Sequence, residues 1–322
     1  MRWKQGLLLL AAIPASLLWS QTPGSALRTE TPSSETATPA NESVTTIRTW
    51  VQEVNLVFTA TDKRGRFKKN LLLSDFSILD DGKPPAAVRS FRSETDLPIR
   101  AGLVLDVSGS ITSRFSFEQE AAIKFFHEVL RPQTDQAFVV AFDSVPSLTQ
   151  DFTDNLELLA KGVTALKPFG GSAVFDAIYF AANKKLKKED EGKSVRRLII
   201  LISDGEDNQS RMNRDEVLEM ARRAEVTIYA ISTNTSNTVT RGDKLMAKLA
   251  EETGGRAFFP LNIGDVAHAF DTIQEELRSQ YALSYRPADF LVDGRYRRIQ
   301  ISAPHDKGIL VRARKGYVAS TD

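Results

Sequence analysis

The chain has 322 residues, 42% of them hydrophobic and 26% charged, with 42 Lys+Arg against 41 Asp+Glu. That length and composition allow one large domain plus a smaller module around a sizeable core, while a net charge of +1 gives no global attraction for nucleic acid or an anionic membrane. There is no cysteine, which excludes disulfides, thiol catalysis, thiolate metal sites and a lipid-modified N-terminal cysteine.

Residues 1–20 read as an export signal. Arg2 and Lys4 precede an apolar stretch from Gly6 to Leu18, and small residues up to Ala26 offer cleavage points. The stretch is short for a transmembrane helix, which needs about 20 apolar residues. An uncleaved anchor is the other reading of the same run. No second long apolar run follows, so the mature chain is expected to be secreted or periplasmic without membrane insertion. Export without cysteine points to a bacterial envelope. Residues 21–46, rich in Thr, Ser, Pro and Glu, read as a disordered tether.

Residues 47–96 have strand character. An apolar run ends at Phe58, a turn follows at Asp62–Gly65, Phe76–Leu79 is a second strand before the turn Asp80–Lys83, and Val88–Phe91 is a third. Residues 97–278 then alternate between short apolar runs and helical stretches. Strands are predicted at Ala101–Leu105, Ala137–Phe142, Leu198–Ile202, Val226–Ile231 and Arg256–Phe259, with Leu148–Phe152 as a hairpin edge after a turn containing Pro146. Helices are predicted from a Ser113 cap to Leu130, then at Leu156–Leu166, Ala173–Leu186, Arg214–Ala224, Lys244–Glu252 and Val266–Leu277. The basic run Lys184–Lys188 leads into Glu189–Glu191 and reads as a solvated helix end. This pattern implies an α/β fold, a doubly wound and mainly parallel sheet covered on both faces. Residues 279–322 return to strands at Tyr281–Tyr285, Tyr296–Ile301 and Leu310–Val318. Neither β flank has much core alone, so the two are expected to pack into one β-sandwich-like module.

The strongest chemical signal is Leu103–Ser110, where a hydrophobic strand ends in Asp106-x-Ser108-x-Ser110. In open α/β sheets ligands bind beyond the carboxyl ends of the strands. Two further loops should reach the same edge: Phe169–Ala173, with Ser172, and Leu201–Asp207, with Asp204. Two carboxylates and three hydroxyls form a hard-oxygen set suited to Mg²⁺, Mn²⁺ or Ca²⁺. Two negative charges against a divalent ion leave the site near neutral, with room for a Glu or Asp from a protein partner. On the local alternative, Asp106 caps the following helix and the serines make turn hydrogen bonds. Asp143, Asp176 and Asp207 lie near these loops and read as caps or solvated acids. Phe125, Phe126, Phe175, Tyr179 and Phe180 read as core, as does Trp50 in the β module.

With these residues the chain resembles the von Willebrand factor type A (VWA), or integrin I-like, family over roughly residues 97–278. The resemblance implies a Rossmann-like fold and a metal-ion-dependent adhesion site held by Asp106, Ser108, Ser110, Ser172 and Asp204. Ser172 stands where the family has threonine, which keeps the hydroxyl and loses the methyl. The segments Asp75–Lys83 and Val311–Tyr317 also resemble a bacterial VWFA-related family described from acidobacteria.

The expected function is therefore extracytoplasmic protein binding through a divalent cation, with no catalytic residue. An envelope scaffold that binds through its β module without a working metal site is the second reading. A metal-dependent hydrolase is the third. Aspartyl-phosphate phosphatases need Asp-x-Asp, and Ser108 occupies the second position. No Gly-x-Ser-x-Gly elbow occurs, no His is placed near a candidate Ser, and Gly170-Gly171 lacks the spacing of a phosphate-binding loop.

Overall fold

Continuous runs of Ile, Leu and Val favour strands buried on both faces, whereas alternating runs favour strands with one wet face. Both kinds occur in the computed structural model, which describes residues 53–93, 97–109, 115–168, 170–187, 195–289 and 291–319. In chain order these form β1 (Val54–Thr61), a 3₁₀ turn (Leu73–Asp75), β2 (Ser77–Asp80), β3 (Ala87–Ser93), β4 (Ile99–Asp106), α1 (Phe115–Val129), β5 (Gln136–Phe142), β6 (Pro146–Thr153) and α2 (Leu156–Thr164). Then come α3 (Val174–Phe180), β7 (Arg196–Ser203), α4 (Arg214–Arg223), β8 (Val226–Ser232), α5 (Arg241–Thr253), β9 (Ala257–Phe258) and α6 (Ile263–Arg278). The chain ends in β10 (Tyr281–Arg286), β11 (Tyr296–Ser302), β12 (Leu310–Ala313) and β13 (Gly316–Val318). The export signal, the tether, Trp50, Ser110, Ser113 and Phe169 lie outside the described residues.

The central sheet has the order β6-β5-β4-β7-β8-β9, parallel throughout except for the antiparallel edge strand β6. Alternate residues of β4 and β7 enter two separate cores. Leu103, Leu105, Ile200 and Ile202 pack with Phe125, Phe126 and Phe270 on one face, and Val104, Ile199 and Leu201 with Phe138, Val217 and Met246 on the other. Each such buried side chain contributes roughly 1.5–3 kcal/mol, so both faces hold the strand ends of the candidate site in place.

The two flanks pair strand by strand. β1 lies between β12 and β10 in a four-stranded sheet of order β12-β1-β10-β3, and β2 pairs with β11 in a three-stranded sheet of order β13-β11-β2. Their shared core contains Leu56, Phe58, Tyr281, Leu283 and Tyr285, with Phe58 and Tyr281 stacked at 5.4 Å between ring centroids. A buried network ties these strands to the α/β part. Glu276 of α6 is fully buried, accepts a hydrogen bond from the Tyr229 hydroxyl at 2.7 Å and pairs with Arg312 of β12.

Several predicted boundaries shift. Leu310–Val318 is not one strand: the chain turns after Ala313, so β12 joins β1 while β13 joins β11. The predicted helix Ala173–Leu186 changes winding to a π-helix at Ala181–Leu186. Pro146 begins β6 opposite Phe142 instead of sitting in the turn, as a proline on an edge strand can. α5 starts at Arg241 because Thr240 and Asp243 form a reciprocal cap.

Candidate functional site

Asp106 is the last residue of β4 and is fully buried. Its Oδ1 accepts the Ser108 backbone amide at 2.8 Å, the local turn bond expected of an aspartate at a strand end. That bond accounts for one oxygen only. Oδ2 accepts the Ser172 hydroxyl at 3.1 Å, from the loop before α3, and the Ser203 hydroxyl at 2.7 Å, from the end of β7. Three chain segments thus converge on one carboxylate. Ser108 and Ser172 are themselves buried.

Asp204 follows β7, and its Oδ1 accepts the Glu206 amide at 3.0 Å. Its charge bears on Asp106. Burial pushes the Asp106 carboxyl above the usual range, hydrogen bonds from Ser203 and Ser108 oppose the shift, and the Asp204 charge adds to it. Asp106 has no Lys, Arg or His partner among the described residues.

The loops are braced from behind. Asn208 accepts the Ser172 amide at 3.1 Å, and the Ser172 carbonyl accepts the amides of Asn208 and Gln209. Asp207 accepts the Phe175 amide and the Ser210 hydroxyl, while Asp176 accepts the amides of Arg211 and Met212. Asp143 accepts the Val145 amide at 3.0 Å. These three acids act as caps and turn acceptors. Gly205 has φ +75°, and the Asp204–Gly205 backbone lies so close to Gly242 that a Cβ on Gly242 would stand 2.1 Å from the Asp204 carbonyl oxygen. Only glycine permits that approach.

Of the five residues singled out, Asp106 and Ser172 are joined directly, Ser108 meets Asp106 through its amide, and Asp204 sits beside them as a second charge. Ser203, Asn208 and Gly242 were not singled out. Ser203 carried a usable signal: it ends the strand next to β4, one residue beyond the pair Leu105–Ile202, which sets it abreast of Asp106.

The donor chemistry fits a hard divalent cation. A buried carboxylate, a neighbouring carboxylate and several hydroxyls offer only hard oxygens. Among the described residues no group of three or more His, Asp or Glu side chains could hold a metal. The donor set around Asp106 needs only two carboxylates, the hydroxyls supplying the rest.

A sequence model of the von Willebrand factor type A domain matches residues 102–206, about a third of the chain, including Asp106, Ser108, Ser172 and Asp204. No curated protein matches. Among solved structures, a von Willebrand factor type A protein from Catenulispora acidiphila is 13% identical, with 77% of this chain and 74% of that one covered and a TM-score of 0.50. A D319A mutant of the PilB minor pilin from Streptococcus sanguinis is also 13% identical, over 57% of this chain and 62% of the pilin, with a TM-score of 0.46. A conserved hypothetical protein, BatB, from Bacteroides thetaiotaomicron is 17% identical, over 56% of this chain and 100% of that one, with a TM-score of 0.45. At such identities the likeness is one of fold.

Proposed function

Because the chain contains a VWA-type domain, a module of protein interaction and not of catalysis, we propose that it binds a protein partner through a divalent cation, Mg²⁺, Mn²⁺ or Ca²⁺, held by Asp106, Ser108, Ser110, Ser172 and Asp204. The module runs over residues 97–278, and the export signal at residues 1–20 sends it out of the cytoplasm. The observation that carries this reading is the meeting of three separate chain segments on the Asp106 carboxylate. A helix cap or a turn needs one loop. Held there, a hard cation supplies an open coordination position for a Glu or Asp of the partner.

This chain's residues have separable parts in that task. Asp106 supplies the central carboxylate, with Ser203 and the Ser108 amide fixing its plane. Asp204 supplies the second charge from a loop pinned against Gly242. Ser172 is set by Asn208. Among the described residues no helix is long and apolar enough to cross a membrane.

The test is thermal unfolding of the protein in chelator and then with Mg²⁺, Mn²⁺ or Ca²⁺, alongside Asp106→Ala. At 100 times its Kd, a ligand of the native state adds about 2.7 kcal/mol. The expected result is that gain in the parent and none in the variant, with partner binding lost in the variant. A parent indifferent to all three cations would overturn the reading.

A further inference from the structure

At the other end of the parallel strands from Asp106 lies a cleft of about 1080 Å³. One wall is the start of β7 and β8 with the C-terminal turns of α4 and α6, and the other is the polar face of the sheet formed by β1, β10 and β3. Strand register explains that face. Val57, Ala282 and Arg92 form one cross-strand row, and Asn55, Ser284 and Ser90 the next, while Leu56, Leu283 and Phe91 point to the opposite face and its core. A register shift between Ser284 and Tyr285 leaves Arg89 without an opposite residue, and its guanidinium lies 3.8 Å from Glu53, which lines the same cleft.

The cleft is cationic. Arg89, Arg92, Arg196, Arg197, Arg222 and Arg314 line it against three carboxylates, Glu53, Glu225 and Glu252. Two of those carboxylates are taken on the α/β wall, where Arg222 bonds Glu252 at 2.8 Å and Arg314 bonds Glu225 at 3.0 Å. Arg92 is exposed and has no acidic partner among the described residues. The loose Arg89–Glu53 pair is open to a second acid.

We propose that this cleft is a docking site for an extended acidic peptide segment of a protein partner, read by Arg92 and Arg89. Two features select that ligand. The guanidinium groups are spread along the walls, which suits spaced carboxylates and not one compact anion. The one aromatic side chain in the lining, Tyr229, is fully buried, so no ring is offered to a sugar. In addition, β3 is the outermost strand of its sheet among the described strands. Arginines on such an edge deter pairing with a like strand and favour an acidic one.

The test uses the full chain in chelator, so that the proposed cation site contributes nothing, with a labelled hexaglutamate peptide followed by fluorescence anisotropy. Binding is expected in the parent, unchanged in Asp106→Ala, at least tenfold weaker in Arg89→Glu/Arg92→Glu, and weakened by added salt. Both arginines are exposed, and an unchanged melting midpoint shows that the double variant folds; Arg92→Gln, which only removes charge, should weaken binding several-fold. No binding by the parent, or equal binding by the double variant, overturns the proposal. So does competition by inorganic phosphate or hexagalacturonate at lower concentrations than the peptide itself requires. Because chelator removes any contribution of the Asp106 site, failure here leaves the cation reading untouched.

Discussion

Asp80 and Asp106 are both buried carboxylates, and on each the Oδ2 atom accepts two hydroxyl hydrogen bonds, yet their surroundings differ in kind. Asp80 takes its bonds from Tyr285 at 2.7 Å and Tyr317 at 3.0 Å, two phenols whose rings are part of the β-module core. Those rings cannot turn their hydroxyls elsewhere without leaving the core. Asp106 takes its bonds from Ser172 and Ser203, two short side chains, one in the loop before α3 and the other at the end of β7, neither of which carries an aromatic ring anchored in a core. Burial raises the Asp106 carboxyl, and the second carboxylate beside it, Asp204, adds to the shift. In the β module burial and then the hydrogen bond to Asp80 push Tyr285 well above the usual phenol value, and burial and then the Asp80 charge raise Tyr317. The number of hydrogen bonds therefore does not separate a structural acid from a binding one. The kind of donor and the charge beside the carboxylate do.

Glu276 extends the comparison, since here the protein supplies its own cation. It is fully buried, and its partners are Arg312 and the Tyr229 hydroxyl. Breaking a buried pair by removing one member costs about 3–5 kcal/mol, because the other charge stays behind. Glu276→Ala should therefore lower the melting midpoint by roughly 10 °C, with or without divalent cation. A loss below about 1 kcal/mol in calorimetry would place this pair with ordinary exposed ones and remove it as the matched-charge reference for Asp106.

The direct contrast is Asp80→Ala against Asp106→Ala, both measured by urea unfolding in chelator. Asp80→Ala leaves two buried phenols without an acceptor, at about 1–3 kcal/mol each, so a loss of about 2–4 kcal/mol is expected. Asp106→Ala also loses hydrogen bonds. It removes, however, an ionised group that is buried and close to Asp204, and the two effects should offset to within about 1 kcal/mol. Equal losses in the two variants would make Asp106 a structural acid like Asp80.

How much of this was legible in the sequence depends on locality. The Asp106 loop stood out because a run of apolar residues, Leu103–Leu105, ends abruptly in short polar ones, and a buried strand with a polar end is visible within eight residues. The loops of Ser172 and Asp204 were legible for the same reason. Asn208 reaches Ser172 across 36 residues, and no periodicity reports such a bond. The Thr240–Asp243 cap was present in the sequence and would have moved the start of α5 to its place. The cleft had no local signature at all. Its arginines come from β3, β7, α4 and the turn after β12, and only the antiparallel insertion of β1 between β12 and β10 brings them together.

The smallest expected effect concerns pH and compares Asp106 with Asp243, two acids near the same edge of the sheet. At Asp243 burial acts to raise the carboxyl, but bonds from the Thr240 amide and from Ser232 and Asn234 outweigh it and hold the group below its ordinary value. At Asp106 burial prevails and the group is held above. The signs follow by linkage. The stability due to Asp243 is present above the unfolded carboxyl value of about 3.9 and is lost as pH falls through the lower folded value. The contribution of Asp106 is present below that unfolded value and is lost as pH rises through the higher folded one. Denaturant unfolding in chelator between about pH 3 and pH 7 separates the two. Relative to the parent, Asp243→Asn should become progressively less stable as pH rises, and Asp106→Asn progressively more stable. Difference curves of the same sign would mean that hydrogen bonds, and not burial beside Asp204, govern the Asp106 carboxylate, and that no charge is waiting there to be matched.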